Sequence, residues 1–259
     1  MSLMRIIQAS VLAMSASCMW SAMEGRVRAW DQEPIRIHVD YPRPVAEAVR
    51  QIEKHFGWVV TYEDTRYVHS SDIVDITEQV RRDGNMTKRV LGMRAGSINL
   101  TYRPRPGTIV ETQVGEALQQ LVAHSRGVDN TGDFRIDWVP GGYHVVPVAL
   151  KGESGVMEPY ASPLETRITL PYQQEDGLEM MLRVAYAVTK TSGRAVNPGT
   201  MPMSGLGRAK VAVGAQNERA RDVLWRALQS ISPRLSWQLL CDVGEKGSCA
   251  INIYPVPKK

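Results

Sequence analysis

An imidazole can hold a metal or carry a proton near neutral pH, and the chain has five histidines. His38 and Asp40 alternate in IRIHVDY and share one face of a strand. With a third ligand that face would suit a metal; without one it is a solvated strand face. His55 lies near the end of a helix pattern, where the helix dipole favours a cation. His69, His124 and His144 are scattered, and no H-E-x-x-H spacing occurs. Nucleophilic serine chemistry needs a strand-to-helix elbow, and no G-x-S-x-G is present. The acid pairs Glu63–Asp64 and Glu175–Asp176 fall at the ends of predicted elements, and a helix start accounts for the second pair. The reading is therefore of no catalytic residue, no metal ligand set and no cofactor. An enzyme or metal-binding protein assembled from scattered histidines and acids is the alternative.

The cysteines say more. Cys241 and Cys249 flank Gly244, Lys246 and Gly247 in LLCDVGEKGSCAINIYPV, which reads as a β-hairpin. Facing cysteines in such a hairpin predict a disulfide in an oxidising compartment. The rivals are two free thiols, or a zinc half-site that lacks its second ligand pair.

The elements that would position these residues come from hydrophobic spacing. Val45, Ala48, Val49, Ile52 and Phe56 make one helical stripe, with Pro44 suited to the first turn and Gly57 to the stop. Three more stripes run through VGEALQQLV, LEMMLRVAYAV and ARDVLWRAL, with Asn217 expected to cap the last. Alternating or apolar runs between them predict strands at IRIHVDY, WVVTYED, SINLTYRP, FRIDWV and GYHVVPV. A second series follows at TRITLPY, AKVAVGAQ, LSWQLLC and CAINIYPV, with its second strand poorly marked. Each half then reads β-α-β-β-α-β-β, an internal duplication. Proline in "VPV" and "YPVP" is expected to end pairing at the close of each half. The expected fold class is α+β, with two tandem βαββαββ domains at 34–150 and 164–257 joined by a linker at 151–163. A Rossmann reading fails because the first strand-to-helix turn is PRP and no G-x-G-x-x-G occurs.

Bulk properties narrow the function classes. The 259 residues are 43% hydrophobic and 22% charged, as in globular proteins, and net charge is only +4. That is too mild for a nucleic-acid surface. The charge is uneven: 34–150 carries 14 basic and 14 acidic residues, whereas 164–259 carries 13 and 8. A basic second half docking on an anionic surface is a further reading; a solvated face that aids solubility is the plainer one. Residues 1–29, with Arg5 before IIQASVLAMSA, read as an export signal and leader. Cys18 would tether the chain to a membrane if lipidated, but Ser15 stands where a lipoprotein signal carries a larger aliphatic residue.

PVAEAVRQIEKHFGWVVTYED resembles the first helix and second strand of the secretin/TonB short N-terminal (STN) domain, through Pro44, Val45, Ala48, Val49, Gly57, Val60 and Tyr62. VGEALQQLV resembles its second helix through Glu116, Ala117, Leu118 and Leu121, and FRIDWVPGGYHVVPV its closing hairpin. The second half looks like a more diverged copy. The resemblance implies two helices packed between small sheets and a non-catalytic, periplasmic contact module linked to secretion or outer-membrane transport and signalling. The partner would be another envelope protein. RYVHSSDIVDITEQVRRDGNMTKRVLGMRAG, near 67–96, departs from the family as an insertion, with a further short helix expected in DITEQVRRDGN. No channel domain, barrel or membrane span is read after the second copy. Contacts are expected at sheet edges, at this insertion, or at the Met-containing loop Asn197 to Gly207; Trp58, Trp138 and Trp237 are core residues or an aromatic contact patch.

Overall fold

In the computed structural model, which describes residues 33–80, 89–128, 132–244 and 247–258, the chain is α+β. The leader read in 1–29 lies outside the described residues. Strand β1 (Ile35–Tyr41) is followed by helix α1 (Pro44–Phe56), which starts with proline in its first turn and stops where Gly57 takes a left-handed φ of 62°. Strand β2 (Val59–Glu63) comes next and is buried along its whole length. The insertion supplies a small hairpin, β3 (Ile73–Asp75) with β4 (Leu91–Met93), and a single helical turn, α2 (Thr77–Val80). Of the helix expected in DITEQVRRDGN, the part after Val80 lies outside the described residues. Strand β5 (Gly96–Tyr102), helix α3 (Val110–Ser125) and the hairpin β6 (Asp133–Val139) and β7 (Gly142–Lys151) complete this part.

Pro147 does not end β7. It sits opposite Phe134 next to a register shift, and pairing runs on to Lys151. The segment 151–163 then adds β8 (Met157–Pro159) back onto β7. The remainder is β9 (Arg167–Asp176), α4 (Gly177–Ser192), β10 (Val196–Pro198), α5 (Met203–Leu206), β11 (Lys210–Arg219), α6 (Ala220–Ile231), β12 (Leu235–Cys241) and β13 (Cys249–Pro255). Asp176 caps α4 by accepting a hydrogen bond from the Glu179 amide at 2.8 Å. Asn217 is not the cap of α6. It takes a positive φ of 54° inside β11, and Arg219 precedes the helix.

The strands β1 and β5 form one antiparallel ribbon and β9 and β11 another, while one large sheet runs in the order β10-β13-β12-β2-β7-β6. Strand β2 pairs parallel with β12, Tyr62 beside Gln238 and Glu63 beside Leu239, so the two parts of the chain share this sheet. Period-2 alternation then assigns faces. Val60 and Tyr62 point into a core with α1, α3 and the β1/β5 ribbon. Trp237, Leu239, Ile251 and Ile253 point the other way, into a core with α4, α6 and the β9/β11 ribbon. Each strand at the join is therefore covered on both sides. The second face of β2 (Thr61, Glu63) lies against α6, and the second face of β12 meets α1, where the Gln238 side chain donates to the Ala46 carbonyl at 2.9 Å.

Close approach at the join demands a small residue. A Cβ on Gly142 would lie 2.6 Å from the Trp225 ring and 2.8 Å from the Val59 carbonyl oxygen. Gly142→Ala is expected to destabilise the chain by about 1–3 kcal/mol, read as a lower midpoint in urea unfolding.

Candidate functional site

The most densely charged interior lies where β2 meets β12. Arg221, at the second position of α6, is 1% exposed. Its guanidinium donates to both oxygens of the fully buried Glu63, from Nε and from Nη2 (2.9 Å), and from Nη1 to Glu165 at 2.9 Å. Arg135 also donates to Glu165, and Arg219 stands 3.9 Å from it. Burial opposes the charge on Arg221, but the Glu63 and Glu165 carboxylates outweigh it and hold its pKa above the ordinary arginine value. Burial likewise opposes ionisation of Glu165, and Arg221 and Arg135 reverse that, leaving its pKa lowered.

A second buried acid, Asp64, closes the same join from the other end. One oxygen accepts from the Tyr62 and Tyr67 hydroxyls (2.9 and 2.7 Å), and the other from Arg43 Nε (2.8 Å) and the Cys241 amide (3.2 Å). Arg43 also donates to the Cys241 carbonyl at 2.7 Å. Burial and the adjacent Asp64 charge raise the Tyr62 and Tyr67 hydroxyls well above the ordinary tyrosine pKa. Cys241 stands opposite Cys249 across the hairpin, with the sulfurs at a disulfide distance of 2.03 Å.

His144 lies between these clusters. Its Nδ1 meets the Thr61 hydroxyl at 2.6 Å, and its ring packs against Trp225 and Trp237 with centroids 5.1 and 5.3 Å away. Burial, and then the charges of Arg221 and Arg219, push this imidazole down to about 3. It is a neutral packing group at physiological pH and cannot serve as a proton carrier there.

The open surfaces differ in kind. A groove of about 450 Å³ lies between α3 and β6, lined by Thr112, Gly115, Gln119, Ile136, Trp138 and Tyr143. Gly115 leaves room for the Tyr143 hydroxyl, which a Cβ would approach to 2.8 Å. Trp138 stands at the rim, 59% exposed, with its indole N–H donating to Glu111. Strand β6 ends the large sheet on this side. A second groove, about 520 Å³, runs between α1 and the end of β13, where Arg50 stacks 5.3 Å above the Tyr254 ring. The buried Glu53 at its floor accepts from the Val60 amide at 3.1 Å; burial pushes this carboxyl up to about 7.

The residues singled out in the sequence fall into place unevenly. His38 and Asp40 lie on the exposed face of β1, where His38 Nδ1 meets Asn99 Oδ1 at 2.5 Å. Among the described residues no group of three or more His, Cys, Asp and Glu side chains is gathered as a metal site. His55 and His124 stand in the last turns of α1 and α3. Glu175 pairs with Arg183, and Trp237 is core. The loop Asn197 to Gly207 is anchored at both ends, by the pairing of β10 with β13 and by the buried Leu206. No helix among the described residues is long and apolar enough to cross a membrane. Sequence reasoning took Glu63 and Asp64 as acids at an element end and His144 as a scattered histidine, and did not single out Arg221. The available signal was a pair of acids at the end of an apolar strand and an arginine beside the apolar stripe of α6.

Two expectations follow from the join. Arg221→Ala leaves Glu63 buried without its cation and is expected to cost about 3–5 kcal/mol in chemical unfolding, while the double variant Glu63→Gln with Arg221→Met recovers part of the loss. For His144, the folded imidazole stays neutral down to about pH 3, whereas the unfolded one titrates near 6.5. Its contribution to stability is therefore complete above pH 6.5 and is lost as pH falls from there toward 3. Between pH 7 and pH 4 the parent chain is expected to lose about 3 kcal/mol more than His144→Gln, measured by urea unfolding at each pH.

Compared with protein-family models, curated proteins and solved structures, the chain shows no match in any of the three.

Proposed function

We propose that this chain is a non-catalytic, exported protein-interaction module of the cell envelope, built from two tandem βαββαββ domains of the secretin/TonB short N-terminal type and contacting another envelope protein. The reading is supported above all by the repeated order of elements. The series β1-α1-β2-β5-α3-β6-β7 and β9-α4-β10-β11-α6-β12-β13 carry the same pairings. The first strand pairs antiparallel with the fourth element's strand in both (β1 with β5, β9 with β11). The second pairs parallel with the last (β2 with β7, β10 with β13), and the closing hairpin is antiparallel in both. Further support comes from the use of charge. Among the most buried ionisable groups, Glu63 pairs with Arg221 across the join and Asp64 accepts from the Cys241 amide across it, so these charges serve to hold the two parts together. What the surface offers is a strand edge, shallow grooves and an exposed tryptophan, features by which proteins are recognised through backbone pairing and aromatic anchors. Cysteines at disulfide distance fit an oxidising compartment.

The test is expression of the full chain, with its own N-terminus, in a bacterium with two membranes, followed by osmotic release and thiol labelling. The expected result is a shortened chain in the periplasmic fraction in which Cys241 and Cys249 resist labelling until reduced. An unprocessed chain held in the cytosol with both thiols reactive would overturn the export reading.

A further inference from the structure

Strand β6 has one side paired with β7, and among the described residues nothing pairs with its other side. An unpaired edge is a template for another strand, and many proteins blunt it by placing charges where a second strand would bring like charges together. The sequence of β6, DFRIDWV, does the reverse. Turned antiparallel against a copy of itself about Ile136, it sets Arg135 opposite Asp137 and Asp137 opposite Arg135. Ile136 then faces its own copy, and Phe134 faces Trp138. Opposed residues of an antiparallel pair share a face. The two charge pairs therefore lie together on one side of the sheet, and the apolar contacts lie together on the side facing α3.

The side chains are already arranged for this. Arg135 is held by Asp137 on its own strand at 3.0 Å and by Glu165 beneath, so it loses little freedom when a second Asp137 arrives. Its side chain remains 41% exposed, and that of Asp137 32%. Trp138 is a large exposed aromatic beside the open edge, and pairing would lay it over the Phe134 and Ile136 of the other copy. By contrast, the strand at the opposite end of the sheet, β10, is only three residues long and ends in Pro198, which has no N–H to give.

We infer that two copies of this chain associate through β6, antiparallel about a two-fold axis at Ile136, joining their large sheets into one. Such an interface is isologous and closes at two copies. It needs only the strand and holds whether or not the chain is exported.

Sedimentation velocity of the full chain over a concentration series tests this. The mass is expected to rise from one chain to two with concentration. Asp137→Arg places like charges opposite each other at two symmetric positions and is expected to weaken dimerisation roughly tenfold or more. The swap Arg135→Asp with Asp137→Arg restores the unlike pairs and is expected to recover it. Because Arg135 also contacts Glu165, a second variant keeps the test open if the swap fails to fold. In a Cys18→Ser background, Ile136→Cys is expected to cross-link to its own copy under mild oxidation, and Val139→Cys is not. A parent chain that stays monomeric at every concentration overturns the inference. So does an Asp137→Arg variant that dimerises as well as the parent, or cross-linking as efficient through residue 139 as through 136.

Discussion

A guanidinium keeps its charge when buried, at a high cost unless carboxylates pair with it, and Arg221 finds its main one in Glu63, 158 residues earlier in the chain. That requirement ties α6 to β2 and so fixes how the first part of the sheet meets the second. The pair alone is weak grounds for stability, because removing two charges from water costs several kcal/mol per ion before their attraction repays it. Its physical importance is directional. Once β2 lies beside β12, any register that separates Glu63 from Arg221 leaves Glu63 buried without its cation. The paired register also sets Asp64 against the Cys241 amide and Arg43 against the Cys241 carbonyl. Three separate polar contacts thus agree on one register, as a sequence that specifies a single structure should.

The same geometry explains why these strands carry polar residues at all. A strand buried on one face alternates apolar and polar, and β1 does so. Strands β2 and β12 are covered on both faces, one by each pair of main helices, yet their second faces present Thr61, Glu63, Ser236 and Gln238. Each of these has a defined partner: His144, Arg221, the Val60 carbonyl and the Ala46 carbonyl. These four side chains are satisfied by groups of the protein itself. His144 shows the limit of that arrangement, since its burial and the charges of Arg221 and Arg219 lower its pKa and keep it neutral.

Much of the fold was legible because it is local. The stripe of α1, its proline start and glycine stop, and the cysteine hairpin each follow from residues within a dozen positions of one another. The join was not legible for the complementary reason. Glu63 and Asp64 look like ordinary acids at a strand end, since a buried charge and a surface charge have the same local sequence. Only the partner distinguishes them, and it is far away in the chain. Strand β10 was poorly marked because three residues are too few to show a period, and Asn217 misled because a residue that caps helices also tolerates the left-handed backbone it takes within β11. Of the candidate contact surface, the strand β6 was readable but its position at the sheet edge was not. Strand order is a property of the assembled sheet, so the exposure of Trp138 could not be separated from that of the buried Trp237 by spacing alone.

If the buried contacts across β2 and β12 hold the two parts of the chain together, neither part should unfold alone. Differential scanning calorimetry decides this most directly. One transition is expected, in which the calorimetric and van't Hoff enthalpies agree. Two resolved transitions, or a calorimetric enthalpy well above the van't Hoff value, would contradict it.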